Sequence, residues 1–282
     1  MSTSFSNPSE PAGNTRPIGV FDSGIGGLTV AAALREVLPG EDIFYIGDTA
    51  RVPYGGKSAS TIERYSLEIS GMLLAEGAKM IVVACNTASA LAVPRLQELL
   101  RVPVIGVIQP GGEAAVAATR NGHVGVIATR ATIKSQAYEK VIQSLNPAVK
   151  VSAQECPLLV PLIEEGWLDD SVTNQVIARY LDQMVGDGID TLVLGCTHYP
   201  LLRKALAAYV GDGITLVDSA QNCAMKVDSV LKERGLSSPA GHIGELRIAL
   251  TDPSSAFLRV AEDALGLKVG EVQVRAVQMV NP

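Results

Sequence analysis

The sequence predicts an α/β fold with two pseudo-symmetric lobes, each a mostly parallel sheet flanked by helices, and a site in the cleft between them. The first observation is that short apolar runs alternate with longer helical patterns, which is typical of parallel sheets covered on both faces. The second is an internal repeat. The third is composition, since 47% of the residues are hydrophobic and only 18% are charged. Such a composition favours a compact aliphatic core over disorder.

Eight apolar runs are predicted strands, and five longer patterns are predicted helices. The strands are expected at 18–21, 43–46, 80–84, 104–107, 124–128, 191–194, 214–217 and 247–250. The helices are expected at 59–76, 88–100, 132–144, 171–185 and 199–209. Ligands of open parallel sheets bind outside the carboxyl ends of the strands. The residues that follow each strand are therefore the first candidates for function.

The internal repeat relates two pairs of segments. IGVFDSG, which contains Gly19, resembles VGVIATR, which contains Gly125, 106 residues later. MIVVACNTASA, which contains Cys85, resembles TLVLGCTHYPL, which contains Cys196, 111 residues later. The similar offsets predict two lobes that each supply one cysteine to a shared cleft, with a chance likeness as the alternative. We expect a mobile N-terminal tail at 1–16, a first lobe formed by 17–110 and 222–282, and a second lobe at 111–221.

Charge and hydropathy exclude several classes of protein. The formal net charge of the 282 residues is −6, and no basic stripe is present, which argues against nucleic acid as a primary partner. No apolar run reaches the length of a membrane span. The N-terminal residues are rich in Ser, Asn, Pro and Gly and lack the pattern of a secretory signal. We therefore expect a cytoplasmic protein without a membrane partner.

Two of the four cysteines have matching surroundings. Cys85 and Cys196 each follow an apolar run and precede a polar dipeptide and a helix start. A helix N-terminus stabilises a thiolate, so both positions suit acid–base chemistry, although a cysteine is also a common core residue. Racemisation needs two similar groups, because a base removes the α-proton on one face and an acid returns a proton on the other. The pair of thiols therefore indicates a racemase.

Cofactor chemistry has little support in the sequence. Cys196 and His198 lack further ligands at metal-binding spacing, so no metal is expected. No lysine stands at a predicted strand end to bind pyridoxal phosphate. The Gly-Lys-Ser at 56–58 lacks the earlier glycine of a phosphate-binding loop, since Arg51 stands there. We expect no cofactor.

Polar residues beside the cysteines are candidates for substrate binding. Asn86, Thr87, Thr197 and His198 follow the two thiols, and their hydroxyl and amide groups suit carboxylates. His198 is placed to assist Cys196. Asp22 ends the first predicted strand, before a glycine-rich turn whose amides could bind a carboxylate. Tyr54 and Gly55 lie in a Gly-rich loop that could cover a small ligand or be an ordinary surface loop.

These segments together resemble the glutamate racemase family of bacterial cell-wall synthesis. The matching segments are GVFDSGIGGLTV, YIGDTARVPYG, VVACNTASA, GVIATRATI, LVLGCTHYPLL and VDSA, within about residues 18–220. The resemblance implies two pseudo-symmetric lobes and interconversion of L- and D-glutamate without a cofactor. It also implies that D-glutamate is supplied for peptidoglycan, and we expect a homodimer.

The resemblance also implies a role for each matching residue. Cys85 and Cys196 would be the two acid–base groups, with Cys85 acting on D-glutamate and Cys196 on L-glutamate. Asp22 would assist Cys85, and His198 would assist Cys196. The substrate site would be lined by Asp22, Ser23, Tyr54, Gly55, Asn86, Thr87, Thr197 and His198. The segment PLIE at 161–164 makes Glu164 an auxiliary candidate, with Glu165 beside it.

Two other functions stay open at this point. One is an aspartate racemase-like enzyme with the same two-cysteine arrangement. The other is a nonenzymatic protein that binds a small ligand and whose cysteines are merely buried.

Overall fold

The fold contains two parallel sheets, each covered by helices. It was obtained as a computed structural model, which describes residues 14–253 and 272–277. The tail expected at 1–16 therefore lies outside the described residues except for 14–16. Most of the segment expected to complete the first lobe after Pro253 also lies outside them.

Within residues 14–253 and 272–277, the first sheet has six strands, all parallel to their neighbours. They are β1 (Ile18–Asp22), β2 (Ile43–Gly47), β3 (Met80–Val83), β4 (Val104–Gly106), β9 (Leu246–Leu250) and β10 (Val272–Val274). Their order in the sheet is β10-β9-β2-β1-β3-β4. Among the predicted strands, β9 is nearest the C-terminus, and it lies beside β2.

Helices cover both faces of this sheet, which explains why its strands are continuously apolar. On one face α1 (Leu28–Val37) and α10 (Ser219–Glu233) pack with Ile18 and Val20 of β1. On the other face α2 (Ala59–Ala75) and α3 (Asn86–Leu99) pack with Phe21 of the same strand. Ser58, from the rejected phosphate-loop motif, is the N-cap of α2, and its side chain accepts a hydrogen bond from the Thr61 amide.

The second sheet has four parallel strands. They are β5 (His123–Ala128), β6 (Lys150–Glu155), β7 (Thr191–Gly195) and β8 (Thr215–Asp218), in the order β6-β5-β7-β8. One face packs on α4 (Ile108–Ala118) and α6 (Ala137–Leu145). The other packs on α7 (Leu159–Glu164), α8 (Ser171–Gly186) and α9 (Arg203–Val210). The short helix α5 (Arg130–Ser135) follows β5.

The two sheets repeat one topology. The first four strands of the chain lie in the order β2-β1-β3-β4, and the next four lie in the order β6-β5-β7-β8. In each set, the first strand lies between the second and the third, and the fourth strand lies beside the third. The sequence repeat around Gly19 and Gly125 marks the two first strands, and the repeat around Cys85 and Cys196 marks the ends of the two third strands.

Two predicted helices differ in detail from the observed ones. The helix expected at 132–144 is two helices, α5 and α6, because Gln136 between them has φ 57°, the left-handed conformation. The helix expected at 199–209 begins with a 3-10 turn at Tyr199–Leu202 that contains Pro200, and α9 follows from Arg203. Proline lacks the amide that would continue an α-helical pattern.

The strands β6 and β10 and the helices α4, α7 and α10 were not among the predicted elements. The side chains of β6 are partly or fully exposed, so its sequence KVSAQE has no apolar run. No helix within residues 14–253 and 272–277 is both long enough and apolar enough to cross a membrane.

Candidate active site

A cavity of about 340 Å³ opens where the carboxyl ends of the two sheets face each other. Ten of the eleven residues predicted to form a site line it: Ser23, Tyr54, Gly55, Cys85, Asn86, Thr87, Glu164, Cys196, Thr197 and His198. The eleventh, Asp22, lies behind the wall. The strands explain this gathering, because polar residues follow β1, β3 and β7 at the same edge of their sheets.

Cys85 follows β3 and is the N-cap residue of α3. Its side chain is buried, and its thiol donates to Oγ of Ser23 at 3.6 Å. Burial raises the pKa of Cys85 to about 12, and the charge of Asp22 adds to this, while the Ala88 amide and Ser23 oppose it. Cys85 is therefore a neutral thiol near pH 7 and can donate a proton.

Cys196 follows β7 and is paired with His198. The Sγ of Cys196 lies 3.8 Å from Nδ1 of His198, and Nε2 of the same ring lies 3.3 Å from Oε1 of Glu164. The second contact is an ion pair rather than an aligned hydrogen bond, since Nε2 has no hydrogen-bond partner. Burial lowers the pKa of His198, but Cys196, Glu164 and Asp22 outweigh it and raise the pKa to about 10. A protonated imidazole beside Cys196 stabilises negative charge on that sulfur.

Asp22 ends β1 and has no exposed surface. Its Oδ2 accepts a hydrogen bond from the Gly24 amide at 2.9 Å, and its Oδ1 accepts one from Thr197 at 3.5 Å. Burial raises the pKa of Asp22, and the charge of His198 and the turn amides oppose that rise. The turn amides, which were predicted to bind a carboxylate, therefore bind the carboxylate of Asp22. Asp22 contacts both lobes through its two oxygens.

Two glycines of the β1–α1 turn permit close contacts, Gly26 with the second lobe and Gly27 with Asp22 of its own lobe. A Cβ atom on Gly26 would lie 2.4 Å from both Nδ1 of His198 and Oγ1 of Thr197. A Cβ atom on Gly27 would lie 2.3 Å from Cβ of Asp22. Neither distance is compatible with a side chain, so the turn of the first lobe touches the catalytic candidates of the second only because it is glycine.

The loop at 48–56 forms one wall of the cavity. Asp48 is buried and accepts hydrogen bonds from Tyr54, from Nε of Arg51 at 2.7 Å and from Thr251 at 3.0 Å. A Cβ atom on Gly55 would lie 2.8 Å from Cβ of Thr129, so this loop also contacts the second lobe. The Tyr54 hydroxyl is turned to Asp48, and burial raises the pKa of Tyr54 far above its usual range.

Asn86 and Thr87 begin α3 and present polar groups to the cavity. Oδ1 of Asn86 accepts a hydrogen bond from the Tyr138 hydroxyl at 2.7 Å, while Nδ2 is buried without a partner. The Thr87 hydroxyl lies 2.9 Å from that of Thr129 and 3.3 Å from that of Thr132. An unpaired amide donor and a set of hydroxyls form a surface suited to carboxylate oxygens.

Sequence reasoning missed Thr129, Arg130 and Cys156 among the cavity-lining residues. The repeat offset could have found Thr129, because it stands 106 residues after Ser23 in the aligned segments IGVFDSG and VGVIATR. Cys156 follows β6 as Asp48 follows β2, but β6 carried no apolar signal. Over the described ranges, no group of three or more His, Cys, Asp or Glu side chains is placed to hold a metal ion.

Comparison with known proteins gives consistent matches over nearly the whole chain. The family described as Asp/Glu/Hydantoin racemase matches residues 28–227. A glutamate racemase of Geobacter metallireducens is 49% identical over 257 residues, covering 91% of this chain and 95% of that protein.

Solved structures agree with the sequence matches. The glutamate racemase isoform RacE1 of Bacillus anthracis superposes with a TM-score of 0.87 at 39% identity, covering 93% of this chain and 97% of that one. The glutamate racemase of Francisella tularensis in complex with D-glutamate also has a TM-score of 0.87, at 38% identity, covering 94% and 98%. The chain belongs to the Asp/Glu/Hydantoin racemase family.

Proposed function

We propose that this chain interconverts L- and D-glutamate without a cofactor, using Cys85 and Cys196 as its two acid–base groups. The observation that carries the proposal is that two buried thiols, one following the third strand of each sheet, line a single cavity. A nonenzymatic binding protein has no need of this arrangement. Relatives whose name is glutamate racemase, 42–49% identical over more than nine-tenths of the chain, support glutamate as the substrate.

The mechanism follows from having one thiol in each lobe. For L-glutamate, the Cys196 thiolate takes the proton from Cα, and the Cys85 thiol delivers its proton to the opposite face of the resulting carbanion. Cys196 then carries the proton that left the substrate, and Cys85 is a thiolate. For D-glutamate the same two transfers run in reverse. The number of protons is conserved, and no redox change occurs.

The assisting groups differ between the two sides. On the Cys196 side, His198 supplies a positive charge 3.8 Å from the sulfur and is itself in contact with Glu164. On the Cys85 side, Asp22 and Ser23 are the neighbours, and Ser23 accepts from the thiol. Asp22 also reaches Thr197 and thereby connects the two sides. We propose that Asp22 acts on Cys85 from behind the wall rather than on the substrate directly.

The substrate is bound through its carboxylates. Asn86, Thr87, Thr129 and Thr197 supply neutral donors around the cavity, and the start of α3 supplies the positive end of a helix dipole. Tyr54 and Gly55 close one side as part of the 48–56 loop. Burial in such a polar site strengthens each hydrogen bond to an anion.

The proposal also includes the bounds of the two lobes, the oligomeric state and the cellular location. We propose lobes at 17–110 with 222–282 and at 111–221, supported by the membership of the two sheets. In this division α4 crosses from the first lobe to pack on the second sheet, and α10 returns to pack beside α1. We further propose a cytoplasmic homodimer whose D-glutamate is used for peptidoglycan.

Incubation with L-glutamate in D₂O without added cofactor tests the proposed reaction. We expect the optical rotation to decay to zero and deuterium to appear at Cα, because the returning proton comes from a thiol that exchanges with solvent. The same incubation with L-aspartate tests the rival substrate and should give far slower exchange. Exchange with aspartate alone would replace the substrate, and exchange with neither amino acid would favour the nonenzymatic binding protein.

A further inference from the structure

We propose that Tyr138 is a positioning residue that holds the Asn86 carboxamide with its NH₂ group facing the cavity, where it donates to a substrate carboxylate. The inference rests on the proposed function and adds a residue that does not line the cavity. Tyr138 belongs to α6 beside the second sheet, whereas Asn86 begins α3 beside the first. The hydrogen bond between them, at 2.7 Å, therefore joins the two lobes at the site.

The state of Asn86 requires an explanation. Its side chain is buried, its Oδ1 accepts from Tyr138, and its Nδ2 has no partner among the described residues. A buried donor without a partner destabilises the fold, and proteins avoid one except where a ligand supplies the missing acceptor. Since Asn86 lines the cavity beside Cys85, a bound carboxylate is that acceptor.

Tyr138 is held so that its hydroxyl is committed to Asn86. The ring is buried in the core that includes Ile142 and Val193. A Cβ atom on Gly111 would lie 3.1 Å from the Tyr138 hydroxyl, and one on Gly195 would lie 3.1 Å from the ring. The two glycines thus form a slot for the ring, and Gly195 directly precedes Cys196.

The direction of the hydrogen bond sets the direction of the amide. Burial raises the pKa of Tyr138, and a hydrogen bond from Ser219 opposes that rise, so the hydroxyl keeps its proton. The Tyr138 hydroxyl donates to Oδ1 of Asn86, because an amide oxygen can only accept a hydrogen bond. A carboxamide fixed through its oxygen has only its NH₂ left to point into the cavity.

The test is a double-mutant cycle with Tyr138→Phe and Asn86→Ala. The readouts are KM and kcat for L-glutamate and, independently of turnover, the Kd for DL-glutamate by calorimetry. We expect Asn86→Ala to raise KM and Kd about 30-fold and Tyr138→Phe to raise them about tenfold, with kcat changed much less. The double variant should equal Asn86→Ala, because Tyr138 acts only through Asn86.

Two results would overturn the proposal. One is a Kd for Tyr138→Phe within twofold of the parent, and the other is a double variant whose loss is the product of the two single losses. Tyr209→Phe, which removes an exposed hydroxyl bonded to Asp182, is the matched control and should leave both constants unchanged. Because Kd is read without turnover, a parent protein that binds glutamate but does not racemise it would refute the proposed function alone.

A second variant tests the orientation without changing Tyr138. Asn86→Asp keeps an oxygen for the Tyr138 hydroxyl but places a second oxygen where Nδ2 faces the cavity. We expect a loss of glutamate affinity larger than that of Asn86→Ala, since two carboxylates would then face each other. Retained affinity in Asn86→Asp would show that the cavity does not need a donor at this position.

Discussion

At the scale of single residues, the two thiols are chemically alike but their surroundings differ. Cys85 is next to a serine and a buried carboxyl group, while Cys196 is next to an imidazole that is itself paired with Glu164. The first environment favours a neutral thiol at Cys85, because burial and the nearby carboxyl group raise its pKa. The second places a positively charged ring beside the sulfur of Cys196.

Replacing either cysteine should separate racemisation from single-face chemistry. Cys85→Ser and Cys196→Ser should each lower kcat for glutamate racemisation by more than about 10³-fold, because a serine hydroxyl is a far weaker base than a thiolate. Elimination from a β-chloro amino acid needs only one base, so each variant should retain it for one enantiomer. Polarimetry measures the first activity and chloride release the second. Near-parental racemisation by either variant would contradict the mechanism.

The His198 imidazolium gives stability a dependence on alkaline pH. Burial alone would lower its pKa, but Cys196, Glu164 and Asp22 raise it from 6.5 to about 10. A folded-state pKa above the unfolded value contributes stability that is complete below pH 6.5 and is lost as pH rises through about 10. The free energy of unfolding of the parent should therefore fall over this window more steeply than that of His198→Asn.

Urea unfolding of both proteins at several pH values between 6 and 10.5 checks this expectation. Parallel curves for parent and variant would show that the imidazole is not held in its charged form. Gly71→Ala is the control, since Gly71 lies in α2 with open space around it and the change removes no group that titrates.

The placement of a site residue was predictable from sequence where the residue followed a clear apolar strand. Cys85, Asn86 and Thr87 follow an uninterrupted apolar strand, so their place at a sheet edge could be inferred. Thr129 also follows such a strand, yet a threonine carries no chemical signal by itself. What singles out Thr129 is its contact with Thr87 across the lobes, which depends on the relative placement of two sheets.

At the scale of secondary structure elements, the β1–α1 turn is the element on which the joining of the lobes depends. Its backbone contributes the Gly24 amide to Asp22, and its Gly26 lies against His198 and Thr197. From the first turn of α1, the Thr29 hydroxyl donates to the Thr197 carbonyl at 3.3 Å. The turn therefore positions both the assisting carboxyl group and the cysteine side of the second lobe.

A methyl group in this turn should disable the site. Gly26→Ala would place Cβ 2.4 Å from the imidazole of His198, so either the ring or the turn must move. We expect kcat to fall at least about 10²-fold, because displacement of a catalytic group by about 1 Å has that effect. Gly71→Ala is the matched control: Gly71 lies in α2 with open space around it, and alanine there should leave kcat unchanged and stability equal or slightly higher. Equal activity of the two variants would contradict the assigned contact.

The continuously buried strands were predicted well, whereas the exposed strand β6 and the helix α4 were not. β6 is an edge strand with partly exposed side chains, so the apolar run that marked the central strands is missing. The helix α4 contains Pro110, Gly111 and Gly112, which are signals of a turn in an isolated sequence. In the structure this first turn packs against Tyr138 and Val141, and tertiary contacts outweigh the low local propensity.

At the scale of the whole molecule, the carboxyl ends of the two sheets face one cavity. Contacts at the amino end of the first sheet stabilise the fold instead. At the amino end of the first sheet, Nζ of the buried Lys79 lies 2.5 Å from Oε2 of Glu41 and donates to the Asn14 carbonyl at 2.6 Å. Ser238 completes the group, its amide donating to Oε1 of Glu41 at 2.7 Å. Four chain segments that are distant in sequence therefore meet at one buried ion pair, behind β2 and β3 and away from the cavity.

Removing one charge of this pair should destabilise the fold without changing catalysis. Glu41→Gln leaves the Lys79 ammonium buried without its counterion, which typically costs about 3–5 kcal/mol, whereas an exposed pair is worth less than about 1 kcal/mol. Glu98→Gln breaks the exposed pair with Arg95 and is the control.

The double change Lys79→Met with Glu41→Leu should recover most of the loss, although the Ser238 amide stays unpaired. Urea unfolding measures these differences, and KM for glutamate should stay within about twofold of the parent in every variant that remains folded. A Glu41→Gln protein as stable as Glu98→Gln would show that the pair does not hold these segments together, and an altered KM would show that the amino end of the sheet is coupled to the cavity.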